Sequence, residues 1–181
     1  MCSSDLPVIF MGPLRAELRA ASWFAALGEP LTEGDLTEAR AYAGAEADVR
    51  RVTSWAEAET FLKSTDADAL AWWDGEEALR KQLLARAEAT YPERALWTSL
   101  TELTTEAGDL VHGKAATAAA RMGGAQPASI HVAAGAASQA VYQLAVARIA
   151  GETLSPFESK FRLFAAGRWP LGVTGSRLML F

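Results

Sequence analysis

The stretch Ala128 to Ala150, ASIHVAAGAASQAVYQLAVARIA, carries no charged residue before Arg148, and the charge-free run reaches back to Met122. Its alanines are the strongest helix formers, and Leu, Gln and Arg follow towards its end. Pro127 stands just before it, where a proline is tolerated, and Gly151 just after it, where a helix commonly stops. At 100° per residue, His131, Gly135, Ser138, Tyr142, Ala145 and Ile149 share one stripe, with Ile130, Val141 and Leu144 on another face. A helix apolar nearly all round is either buried in a core or spans a membrane. The length would reach across a bilayer, but the apolarity comes from alanine, and His131, Ser138, Gln139 and Gln143 interrupt it. The segment therefore reads as the central helix of a water-exposed bundle, and no membrane is expected as a partner.

The rest of the chain supplies the helices to surround it. Alanine is abundant and β-branched residues are scarce, which favours helix over sheet. A helix is expected from Pro13 to about Leu27, with Leu14, Leu18, Ala21, Phe24 and Ala25 on one face, ended by Gly28 and Pro30. Thr32 can cap a second helix over 33–43. Val49 to Thr53 reads as extended or looped. Ser54 and Glu57 have capping-box spacing for a short third helix. Asp66 or Asp68 can start a fourth, running to Thr90. Pro92 opens a fifth, in which Gly108 and Gly113 predict a kink or break. After the central helix, Ser155-Pro156-Phe157-Glu158 repeats the capping-box spacing, and Gly167 ends that last helix. Trp169-Pro170 then forces an irregular or β-like C-terminal segment. The expected fold is all-α: a bundle of six or seven helices around the Ala-rich one, forming a single helical domain over 7–181. Met1 to Leu6, MCSSDL, resembles the translated end of a sequencing adapter and is expected to be non-native or disordered.

Composition narrows the functional classes. A net charge of −5 does not provide the basic face that phosphate neutralisation needs, so no nucleic acid is expected as a partner. Cys2 is the single cysteine, which leaves no intrachain disulfide and no thiolate cluster for zinc. The start lacks a basic region followed by a long apolar one, so a cytoplasmic location is expected. No phosphate-binding glycine loop, dinucleotide fingerprint or HExxH helix occurs.

Three groups of residues remain as sites. His131, Ser138 and Tyr142 on the central helix, with Trp72 and Glu76 on the fourth, could line a small-molecule pocket between helices. A desolvated Glu76 there would suit acid catalysis. Against this, such residues commonly serve as satisfied core or surface groups, with Glu77 pairing Arg80 or Lys81. Asp109 and His112, at i and i+3 beside Glu102 and Glu106, give half of a bundle-type metal site, which His131 could join. A solvated acidic face is the simpler account, and neither metal nor other cofactor is expected. The tail carries Phe157, Phe161 and Phe164 at i, i+4 and i+7, followed by Arg168, Trp169 and the terminal Phe181. So many large apolar groups must be covered, either by the domain itself or by another chain. The leading expectation is a protein-interaction or self-associating module; the alternative is a small-molecule-binding or metal-dependent enzyme with an interhelical pocket.

Overall fold

The structure, a computed structural model, describes residues 6–64 and 67–181, with side chains from Met11 onward except that of Ala67. Of the expected non-native start, only Leu6 lies within the described residues; Asp66, one of the two expected starts of the fourth helix, lies outside them. The helices are α1 Leu6–Ala20, α2 Glu33–Ala43, α3 Trp55–Lys63, α4 Ala67–Thr90, α5 Glu93–Met122, α6 Pro127–Ile149 and α7 Pro156–Ala165. The strands are β1 Asp48–Arg51, β2 Pro170–Thr174 and β3 Arg177–Leu180. This is the expected bundle around the Ala-rich helix, now α6, with the β-like end realised as strands. None of the described helices is long and apolar enough to cross a membrane.

Helix α6 packs on α5 above all, and on α1, α4 and α7 as well. Its C-terminal half is buried on every side from Val141 to Ala147, apart from Tyr142. Its N-terminal half is not: His131, Val132 and Gly135 are exposed, and a Cβ at Gly135 would meet no neighbour within 4 Å. Helix α5 runs without a break through Gly108 and Gly113, against expectation. The buried stripe Leu96, Leu100, Leu103, Ala107, Val111, Ala115 and Ala118 holds it on α6. That burial outweighs the roughly 1 kcal/mol that each glycine costs a helix.

The first helix also differs. It starts at Leu6 rather than at Pro13, which lies inside it, and it stops at Ala20 rather than Leu27. Tertiary contacts end it. The indole of Trp23 donates to the Leu18 carbonyl, and Ser22 N–H and Ala26 N–H donate to the carbonyls of Ala165 and Gly167. These bonds pull 21–29 into a turn with Phe24 at φ 59°, a conformation costing a bulky residue about 1–3 kcal/mol. Phe24 recovers this by complete burial, edge-on to Phe164, while Arg121 binds its carbonyl. Gly167 makes the approach possible: at φ 91°, a Cβ there would lie 2.7 Å from the Ala26 nitrogen.

The sheet has the order β1-β3-β2, with β3 parallel to β1 and antiparallel to β2. A bulge between Pro170 and Gly172 interrupts the hairpin register. Trp169 and Phe181 exchange backbone hydrogen bonds at 2.7 and 2.9 Å beyond the strands, which ties down the final residue. Phe157, Phe161, Phe164, Arg168, Trp169 and Phe181 are all buried within this one chain. Of the two covers expected for the tail, the domain itself supplies one: these six side chains help to close its own core.

Candidate functional site

The site forms where the tail, α2, α4 and α6 meet. Helix α7 is short and strongly amphipathic, and Lys160 falls among its buried phenylalanines, three residues after Phe157. Its aliphatic stem can be buried among them, but its ammonium needs a partner. Glu76 of α4 supplies it: Lys160 Nζ donates to both Glu76 oxygens at 2.9 Å, with side-chain exposures of only 8% and 11%. The Tyr42 hydroxyl, at the end of α2, donates to Glu76 Oε1 at 3.0 Å and accepts from the Trp72 indole at 3.4 Å. The Tyr42 and Trp72 rings meet edge to face at 87°, and the ammonium lies 5.6 Å from the Tyr42 centroid, a cation–π distance. Burial pushes the Tyr42 phenol well above the ordinary tyrosine range, and the neighbouring Glu76 carboxylate adds to this. Glu76 is therefore not the free acid that its helical stripe suggests, because its oxygens are engaged by Lys160 and Tyr42.

This polar group faces a cleft of about 380 Å³. Trp73 of α4 and Val132 and Ala136 of α6 form its walls, Gln139 adds an amide, and Leu171 and Gly172 of β2 form the floor. A smaller hollow of about 160 Å³, between Trp72, Leu79 and Pro156, touches Tyr42 and Glu76 from another side. At the rim, Glu77 binds Arg80 through both carboxylate oxygens at 2.6 and 2.7 Å, and this guanidinium holds the Glu77 carboxyl down at about 2. No family model, curated protein or solved structure matches this chain. The chemistry of the cleft has to be read from its own residues.

Of the five residues expected to form a pocket, two belong to this group. Glu76 lines the cleft, and Trp72 supports it through Tyr42. The other three are dispersed along α6. Ser138 lies beside Gly108 of α5, where a glycine Cβ would approach its hydroxyl to 3.8 Å. Tyr142 is held by Arg80, which donates to its hydroxyl at 3.3 Å and lies 5.6 Å from its ring centroid. His131 is exposed and meets His112 of α5. The stripe from His131 to Tyr142 extends about 16 Å along the helix axis, too far to converge on one small ligand. Asp109 is exposed one turn before His112, and among the described residues no group of three or more His, Cys, Asp or Glu side chains could hold a metal ion.

Tyr42 and Lys160 are the residues that sequence reasoning missed. The available signal was a lysine set among aromatic residues at helical spacing, a position that buries it and demands an anion. Arg168, the cation of the aromatic tail, is buried. All five of its N–H donors are spent within the chain, on Asp35 and on the carbonyls of Ala26, Glu29 and Pro30. Asp35 also closes the capping box of α2 with Thr32. Arg168 is a staple between the tail and the turn that follows α1.

Proposed function

We propose that this domain binds a small, largely apolar molecule in the cleft between α4, α6 and β2. One observation carries the reading: a cleft of about 380 Å³ with aromatic and aliphatic walls contains a small, already ordered polar group, Glu76–Lys160–Tyr42. Ligand sites of small molecules have this size and this division between apolar walls and a few placed polar groups. Lys160 has three N–H donors and Glu76 uses two, so one remains for an acceptor on the ligand. Trp73, in the cleft wall, supplies apolar area for the ligand body. A cytoplasmic setting belongs to this proposal, supported by a core built from packing and ion pairs with one cysteine in the chain.

The anionic apolar dye anilinonaphthalene sulfonate tests it. Its fluorescence should rise on the folded protein, and the rise should be lost in Ala136→Phe, which fills the cleft from a half-buried wall position. The variant must keep its melting temperature, since an expanded core would bind the dye for another reason. No enhancement in the wild-type protein, or an unchanged one in the variant, counts against the cleft.

A second reading, self-association or docking of a protein partner, rests on a different observation. Leu70, Trp73 and Val132 are exposed large apolar residues, and Trp73 and Val132 also line the cleft. Native mass spectrometry separates the readings: a dimer that Trp73→Ala dissociates favours association.

A further inference from the structure

The pairing of His112 with His131 lies outside that cleft. His112 sits in the C-terminal half of α5 and His131 in the second turn of α6, and both are exposed. Their ring nitrogens, Nε2 of His112 and Nδ1 of His131, are 3.2 Å apart. The ring centroids are 5.0 Å apart, with the planes at 25°. One of these nitrogens donates to the other, so each ring's coordinating edge faces its neighbour. We propose that His112 and His131 form a two-nitrogen site for a borderline divalent transition metal such as zinc, nickel or copper.

The distance carries the argument. Zinc binds imidazole nitrogen at about 2.0–2.1 Å in tetrahedral geometry, which places two ligand nitrogens about 3.3 Å from each other. The observed separation requires only a small rotation of the rings, with no movement of either helix. The helices are a firm base, because Val111 and Ala115 of α5 and Ala133 and Ala134 of α6 are buried around the pair. Imidazole suits these metals better than it suits magnesium or calcium, which prefer oxygen donors. With two protein ligands, the other coordination positions are left to water, so the affinity should be modest. Metal binding needs the unprotonated nitrogen of each ring, so the ring that donates across the pair must shift its N–H to its other nitrogen when the ion enters.

The test is calorimetric titration of the tag-free chain in a Cys2→Ser background, so that the thiol does not compete. One equivalent of zinc should bind, nickel should bind at the same site, and copper should bind most tightly. His112→Ala and His131→Ala should each abolish the binding. Both side chains are exposed, so neither change should alter the melting temperature without metal. Zinc should raise that temperature in the parent protein and in neither variant, since a ligand of the folded state stabilises it by mass action. Absence of binding at millimolar zinc, or binding that survives both substitutions, overturns the proposal. Loss of binding in Asp109→Asn would overturn the two-nitrogen description, because it would make the carboxylate a ligand.

Discussion

Tyr42 shows how a single side chain acquires unusual chemistry from its surroundings. Its hydroxyl is buried against a carboxylate, so its folded-state value is raised first by desolvation and then by the charge of Glu76. A raised value means that Tyr42 contributes stability fully present below about pH 10, the ordinary tyrosine value, and lost as pH rises above it. Titration followed by tyrosinate absorbance should therefore show a late component that coincides with alkaline unfolding. Tyr42→Phe should lack that component and be less stable by about 1.5–3 kcal/mol near neutrality, the worth of a hydrogen bond to a charged group. A wild-type titration with no late component would show that the hydroxyl is reached by water. Glu76 could be singled out in the sequence, since it shares a helical stripe with Trp72 and Leu79. Its partners could not, because Tyr42 and Lys160 come from distant helices and nothing local marks them as neighbours.

The central helix is defined by small side chains. Ala133, Ala137, Ala140 and Ala147 are fully buried, and their size sets how closely α5, α1, α4 and α7 can approach. Ala137→Leu should overpack this contact and cost about 1–3 kcal/mol, read as a lowered denaturation midpoint at an unchanged denaturant slope. An unchanged midpoint would mean that the neighbouring helices yield. Side-chain caps place the starts of α2, α3 and α7, though neighbours reassign some details. Glu57 reaches back to the Thr53 N–H and hydroxyl while Ser54 caps the helix. Ser155 accepts from Phe157 N–H, and the Glu158 carboxylate is drawn away to Arg148, which also binds Glu17 through both of that carboxylate's oxygens. A spacing motif offers donors and acceptors, and a stronger charged partner can take one of them.

For the whole molecule, the last five residues act as a keystone. Strand β3 lies between β1 and β2, and Leu178, Leu180 and Phe181 are fully buried. Phe181 packs on Trp55 and Trp169, so the end of the chain joins α3 to the tail. Each of these side chains is worth about 1.5–3 kcal/mol of burial, and a domain has only about 5–15 kcal/mol in total. Deletion of Arg177 to Phe181 should therefore abolish cooperative thermal unfolding, followed by circular dichroism. A truncated chain that melts as sharply and at the same temperature would show that the sheet is peripheral to stability.

The sequence by itself determined the helices, because their signals are local: alanine propensity, apolar stripes, serine and threonine caps, and proline or glycine at the ends. It also determined that the aromatic tail had to be covered, since apolar area on that scale cannot remain in water. The tertiary structure decided what covers it, by pairing β3 with β1 from the other end of the chain and seating Phe157, Phe161 and Phe164 in the core. It likewise decided where α1 ends, because hydrogen bonds to Ala165 and Gly167 override the apolar stripe that would have continued the helix. The Glu76–Lys160 pair and the His112–His131 pair belong to the same class. Each joins residues from two helices, and their meeting depends on how those helices cross, a property of the packed bundle that neither segment carries alone.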